Sequence, residues 1–333
     1  MKICIYGLGA VGGLMAARLA GMSENVSAVA RGATLEAVRR DGLTLVETAN
    51  GRERSSRFDI SVSDRPETLG VQDLVVVAVK TTSMPGVASA IAPLLGPETT
   101  VLSAMNGVPW WFFYGLAPEL QSIQMHGVDL NGAVSSAIPA SRVVGCVTHL
   151  SATTPQPGTV RHVAGNRLIV GEPTGGAVTP RARAAVGALR EAGFDVEEAA
   201  SIQQEIWFKL WGNMTVNPIS AITGATGDRI LDDGLVRQFM SRCMVEAAAI
   251  GDRIGLPIDA DPESRHAVTR QLCAFRTSML QDVQARKPVE LDALVGAVLE
   301  IANQVNVPTP NIDALFGLAR LQAQVLGLYP LPQ

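Results

Sequence analysis

Aromatic residues make up only 5% of this 333-residue chain, and long apolar runs are missing. The longest purely apolar stretches, such as Leu74 to Val79, stop far short of the ~18 residues that a membrane-spanning helix needs. No block of like charge occurs either: 27 Lys and Arg face 31 Asp and Glu, a net charge of -4. That balance gives no electrostatic footprint for nucleic acid or for an anionic membrane surface. The four cysteines, Cys4, Cys146, Cys243 and Cys273, never form a C-x-x-C pair, and His126, His149, His162 and His266 lack metal-ligand spacing. Neither a metal site nor a disulfide framework is implied. A G-x-S-x-G nucleophile elbow is absent. Residues 1 to 6 read as a strand entering a glycine loop rather than as a signal peptide, so the expected compartment is the reducing cytoplasm.

What is present divides into two patterns. At ~100 to 200 residues per domain the length suggests two domains, each able to bury a core. The first half alternates β-rich runs with helical periods: strands at Lys2 to Tyr6, Val26 to Ala30, Leu74 to Val79 and Thr100 to Ser103, and helices at Ala10 to Ala20, Leu35 to Asp41 and Met84 to Leu95. Such alternation means βαβ units and a parallel sheet. From about Gly127 to Gly171 the segments read as consecutive strands, an antiparallel extension of that sheet. Glu172 to Pro180, rich in Gly and Pro, is the boundary candidate, which predicts domains at 1–174 and 175–333. Beyond it apolar residues recur at helical spacing through Arg181 to Ala192, Ile202 to Val216, Leu235 to Ile254, Ala267 to Gln284, Leu291 to Gln304 and Ile312 to Leu326. The expected fold class is α/β, an N-terminal Rossmann-like NADP-binding domain followed by an all-helical C-terminal domain.

The chemistry of the first domain is carried by Gly7-Leu8-Gly9-Ala10-Val11-Gly12, a G-x-G-x-x-G between a strand and a helix. Gly7 permits the tight turn, Gly9 lets a pyrophosphate approach the backbone, and Gly12 lets the helix pack closely on the sheet. The second strand ends at Val29-Ala30-Arg31, without the carboxylate that binds the ribose hydroxyls of NAD. Arg31 instead suits the 2′-phosphate of NADP. Lys80 and Asn106 follow later strands at the edge where open α/β sheets bind ligands. Lys80 is placed to contact cofactor phosphate or ribose, and Asn106 to orient the nicotinamide.

In the helical half, Lys209, Asn213 and Asn217 recur every four residues and form one polar ridge among Ile206, Trp207, Leu210, Trp211 and Met214. A lysine in such surroundings loses solvation, its pKa falls, and it becomes a better proton donor at neutral pH. Pro218 is expected to end or kink the helix at Asn217. A second cluster runs through Ser278-Met279-Leu280-Gln281-Asp282 to Glu290, where spacing alone makes Glu290 structural. The four tryptophans fall in two pairs, Trp110 with Trp111 and Trp207 with Trp211, and are expected to wall an interdomain cleft around Lys209.

Together these residues resemble the ketopantoate reductase (2-dehydropantoate 2-reductase) family over nearly the whole chain. The likeness rests on the glycine loop, Arg31, Val79-Lys80, Asn106-Gly107, Pro157 to His162, Lys209 with Asn213 and Asn217-Pro218, and Ser278 to Asp282 with Glu290. The resemblance implies NADPH-dependent reduction of a 2-keto acid, ketopantoate or a relative, to a 2-hydroxy acid in pantothenate biosynthesis. It implies Lys209 as proton donor, Asn106 near nicotinamide and substrate, Asn213, Asn217 and Ser278 as substrate ligands, and Glu290 as substrate ligand or partner of Lys209. Two further asparagines of pantoate-forming enzymes fall at Gly227 and Phe275 here, which makes the pocket more apolar. The alternatives are a β-hydroxyacid dehydrogenase and a non-catalytic NADP-binding sensor or scaffold. The expected partner is a small-molecule 2-keto acid, with neither nucleic acid nor membrane, and a homodimer through the helical domain is a further expectation.

Overall fold

The computed structural model describes residues 1–23, 25–49, 51–177 and 179–331. They fall into two compact units, residues 1–105 with 132–202, and residues 106–131 with 203–333.

The first unit holds one mixed sheet of β1 (Ile3–Tyr6), β2 (Val26–Val29), β3 (Leu43–Ala49), β4 (Arg52–Phe58), β5 (Ser61–Ser63), β6 (Gln72–Val77), β7 (Leu95–Ser103), β8 (Val143–Gln156), β9 (Thr159–Gly171) and β10 (Asp195–Glu198). The strand order is β4-β3-β9-β8-β7-β6-β1-β2-β5, with β10 added to β9. Strands β7, β6, β1, β2 and β5 pair in parallel, whereas β8 and β9 are antiparallel to each other. Every residue of β1 and β2, and Leu74 to Val77 of β6, is buried, as expected for central strands covered on both faces. The helices are α1 (Ala10–Ala20), α2 (Gly32–Asp41), α3 (Met84–Ala88), α4 (Ala133–Ala137) and α5 (Pro180–Glu191). Leu14, Met15 and Leu19 of α1 join Ile5, Val76 and Leu102 in the core.

Three local expectations change here. Helical periodicity from Met84 ends at Ala88, because Pro93 and Gly96 follow and β7 already begins at Leu95. Residues 127–142 form short helical turns and α4 rather than strands. The first unit also continues past the Glu172–Pro180 stretch, since β10 pairs with Arg167 to Val170 of β9. At that boundary Glu172, buried, pairs with Arg181 at 2.6 Å and ties α5 to the sheet unit.

The second unit contains α6 (Ile202–Thr223), α7 (Gly227–Asp232), α8 (Gly234–Arg253), α9 (Pro262–Arg270), α10 (Ser278–Gln284), α11 (Ala297–Gln304) and α12 (Pro310–Val325), and among its described residues no strand occurs. A π-helical turn, Asp292–Gly296, leads into α11. The expected helix Ala267 to Gln284 is two helices, broken where Cys273 adopts φ 55° and Thr277 caps α10 by accepting Leu280 N–H at 3.1 Å. Pro218 does not end α6, which runs to Thr223. Burial of residues 214–221 outweighs the ~3 kcal/mol that an interior proline costs a helix.

The tryptophan expectation is also corrected. Trp207 and Trp211 are 1% exposed and lie in the core of this unit. Trp211 Nε1 donates to Met244 O of α8 at 2.7 Å. Trp207 lies against Gly251, where a β-carbon would fall 2.6 Å from its Nε1, and 6.1 Å from the Phe112 ring. Phe112 belongs to the segment 106–131, which joins the helical unit through two further links. Val108 N–H donates to Ala293 O at 2.9 Å, and the Glu300 carboxylate accepts His126 and Gly127 N–H at 2.6 and 2.8 Å.

No helix of the described residues is long and apolar enough to cross a membrane. Among the described residues no cluster of His, Cys, Asp or Glu could hold a metal ion. Cys4 and Cys243 are buried free thiols, and burial raises their pKa to about 11 and about 12, so both are held as unreactive thiols.

Candidate active site

In the first unit the register sets four strand ends level. Tyr6 of β1 pairs with Val29 of β2 and Val77 of β6, and Val77 with Ser103 of β7. The turns that follow these ends carry Gly7, Arg31 and Lys80, so one edge of the parallel sheet collects them.

Gly7 adopts φ +105°, and a β-carbon on it would fall 2.5 Å from Val79 Cγ1. A β-carbon on Gly12 would fall 2.0 Å from Gly7 O, so only glycine lets α1 start against this turn. Leu8 anchors the loop in the core. Gly9 faces open space and forms the N-cap of α1, whose first turn has no acidic residue. Ala10, Val11 and Gly12 open α1, where amide groups lack intrahelical acceptors. Open backbone and unpaired N–H groups fit a pyrophosphate, and any side chain at Gly9 would fill that space.

Arg31 is the exposed N-cap of α2. Its guanidinium passes over Gly86, where a β-carbon would be 3.5 Å from Nη1. Burial pushes the Tyr6 phenol's pKa up, and the neighbouring Arg31 charge opposes that rise. Lys80 is half-buried and opens the turn Thr81–Ser83, with Ser83 N–H on its carbonyl at 2.8 Å. A cation beside an open helix start is a workable phosphate site.

The second unit brings together Lys209 and Asn106. Lys209 Nζ donates to Asn106 Oδ1 at 2.8 Å across 103 residues of sequence. Asn106 is held there because Gly107, at φ +79°, lets the backbone touch the π-helical turn. A β-carbon on Gly107 would fall 2.5 Å from Ala293 O. The same Ala293 carbonyl accepts Val108 N–H. Widened π turns often accompany functional sites, and here the turn supplies the acceptor that pins the Asn106 loop.

Along α6, Lys209 and Asn213 are half-buried and Asn217 is buried. Ser220 ties the far end of this ridge to α10: its Oγ donates to Asn217 O at 2.8 Å and hydrogen-bonds Thr277 Oγ1. Ser278 follows Thr277 directly and is exposed, so it stands by the Asn217 end of the ridge. Glu290 is half-buried and precedes the helix that holds the Asn106 loop. Gly227 and Phe275 are a contacting pair. Gly227 N–H donates to Phe275 O at 3.0 Å, and a β-carbon on Gly227 would sit 1.9 Å from the ring. The phenyl ring thus occupies the room that a larger residue at 227 would need.

A sheet unit with a glycine-loop edge, joined to a helical unit with a lysine–asparagine ridge, defines a class of two-domain oxidoreductases. Comparison with known proteins gives the family. The model for ketopantoate reductase PanE/ApbA matches residues 3–175, and that for its C-terminal domain matches residues 201–323. The chain is 41% identical to a 2-dehydropantoate 2-reductase of Mesorhizobium japonicum, over 99% of this chain and all of that one. A crystal structure from Ralstonia solanacearum MolK2, described as a candidate ketopantoate reductase, superposes with a TM-score of 0.93 at 52% identity over 98% of this chain and 99% of that one. A D-mandelate dehydrogenase solved with NADH and anilino(oxo)acetate shares the fold, with a TM-score of 0.83 at 19% identity over 98% of this chain and all of that one. The chain belongs to the ketopantoate reductase family and is an oxidoreductase acting on CH–OH groups.

Proposed function

We propose that this protein reduces a 2-keto acid, ketopantoate or a close relative, to the 2-hydroxy acid with NADPH. The observation that carries the reading is the Lys209–Asn106 hydrogen bond, which holds an ammonium group at the head of a ridge of amides. NADPH, when bound, supplies the hydride to the ketone carbon. Gly7 to Gly12 take its pyrophosphate, Arg31 the 2′-phosphate, and Lys80 a further phosphate or ribose oxygen. Asn106 Oδ1 accepts from the Lys209 ammonium and so fixes the group that is to meet the ketone oxygen. Lys209 donates a proton to that oxygen as charge develops on it and is reprotonated from solvent. Asn213, Asn217 and Ser278 position the substrate, and Glu290 binds the substrate or orders Lys209.

A screen of 2-keto acids, followed by NADPH oxidation, tests this reading. The expected result is turnover with NADPH well above NADH, and Arg31→Ala is expected to raise KM for NADPH by ~10- to 100-fold while leaving NADH kinetics nearly unchanged. Equal effects on both cofactors would remove Arg31 from its role, and no turnover with any 2-keto acid would defeat the reading. Because Phe275 covers Gly227, the screen includes 2-keto acids with apolar side chains beside ketopantoate.

A further inference from the structure

The turn after α12 grips the same stretch of chain that pins the Asn106 loop. Helix α12 gives way to Gly327 at φ +71°, and Leu328 N–H donates back to Ala323 O at 2.8 Å. Leu328 is buried, and Pro330 O accepts Gln324 Nε2 at 2.9 Å, so Tyr329 is held between two fixed neighbours. From this turn two bonds reach the segment that precedes α11. Leu328 O accepts Val289 N–H at 3.2 Å, and the Tyr329 hydroxyl donates to Asp292 Oδ1 at 2.5 Å. Burial pushes the pKa of the Asp292 carboxyl up, and the bond from Tyr329 is the foremost influence against that rise. Burial also raises the Tyr329 phenol, which therefore stays a donor at neutral pH.

Asp292 is the first residue of the π-helical turn and Ala293 the second. Such a turn is a local departure from α-helical bonding, so its exact place depends on what anchors it. The Asp292 side chain is anchored by Tyr329, and the Ala293 carbonyl beside it holds the loop. That carbonyl accepts Val108 N–H at 2.9 Å and would lie 2.5 Å from a β-carbon on Gly107. Asp292 also lies against the far end of the same loop, since a β-carbon on Gly127 would fall 3.3 Å from Asp292 Cβ. Asn106 directly precedes Gly107, and its Oδ1 meets Lys209 Nζ at 2.8 Å. One chain of contacts therefore runs from the Tyr329 hydroxyl through Asp292, Ala293 and Asn106 to the ammonium group.

We propose that the Tyr329–Asp292 hydrogen bond positions the Asn106 loop and, through it, the Lys209 ammonium. Tyr329 and Asp292 are positioning residues that act through Asn106. This rests on the reductase reading above, which gives Lys209 the proton transfer. Without the hydroxyl, a half-buried carboxylate loses a donor and turns to find another. The Ala293 carbonyl shifts with it, and a small misplacement at Asn106 is enough to spoil the aim of a proton donor.

The test uses Tyr329→Phe in the full-length protein, which removes one oxygen and keeps the ring. With the preferred 2-keto acid, kcat is expected to fall about tenfold, with NADPH affinity within about twofold of wild type. The deciding comparison is made in an Asn106→Ala background, where Tyr329→Phe is expected to change kcat by less than about twofold. A merely structural tyrosine would cost the same factor in both backgrounds, so equal losses overturn the proposal, as does an unchanged kcat in Tyr329→Phe alone. Asp292→Ala approaches the bond from its other side. Adding Tyr329→Phe to it is expected to cost less than about twofold more, and losses that multiply would show that the two residues act independently and overturn the proposal. Amide hydrogen exchange separates this inference from the reductase reading. Val108 N–H is expected to exchange about tenfold faster in Tyr329→Phe while the amides of α8 keep their wild-type rates. Were the wild type to reduce no 2-keto acid, that local change at Val108 would still support the coupling. Unchanged exchange at Val108, or an equal rise throughout α8, would refute it.

Discussion

Lys209→Ala is expected to lower kcat by about 10²- to 10⁴-fold, the usual worth of a positioned general acid, with NADPH affinity within a few-fold of wild type. The variant loses the ammonium that meets Asn106 Oδ1 at 2.8 Å, the group proposed above to protonate the ketone oxygen. The residues assigned to the cofactor phosphates, Gly7 to Gly12, Arg31 and Lys80, belong to the first unit and are untouched. Steady-state kinetics together with a fluorescence titration of NADPH separate the two effects. A variant that kept wild-type turnover would mean that Lys209 is scaffold, as in a protein that senses NADP without reducing anything.

Gly12→Ala is expected to abolish cofactor binding, with a loss of affinity of 100-fold or more, and to destabilise the fold by about 1–3 kcal/mol. The added methyl would sit 2.0 Å from Gly7 O and 3.0 Å from Ala78 Cβ. The first neighbour is backbone and cannot swing away, so α1 must back off the sheet and carry its N-terminal amides with it. Urea denaturation reads the stability and NADPH titration the affinity. Gly187→Ala is the control, since a β-carbon there meets nothing within 4 Å in the middle of α5. That substitution is expected to be neutral or slightly stabilising. Similar behaviour of the two variants would remove the close-approach argument for the glycine loop.

Features set by local physics could be read directly from the chain. The glycine loop needs only a strand, a positive φ at Gly7 and a helix start, all encoded within ten residues. The Lys209–Asn213–Asn217 ridge follows from a period of four on α6. Less visible was anything fixed by distant partners. Residues 106–131 join the helical unit because Ala293 and Glu300, more than 170 residues away, accept their amides. The π turn that provides one of those acceptors has no signature in Asp292–Gly296. Strand β10 was passed over because Asp-Val-Glu-Glu shows a single apolar residue, and its pairing with β9 is the tertiary context that makes it a strand. Periodicity placed Trp207 and Trp211 on one face of α6 but could not say that the face is core, which Met244 and Gly251 of α8 decide.

The central claim is that hydride reaches the ketone carbon of a 2-keto acid while the ridge holds that substrate. Turnover of the preferred 2-keto acid with NADPH carrying deuterium at the transferable C4 position, with the product read by NMR, tests this most directly. The predicted result is a 2-hydroxy acid with one deuterium at C2 for each NADPH consumed. Product without deuterium at C2, or NADPH consumed without a 2-hydroxy acid, would contradict it.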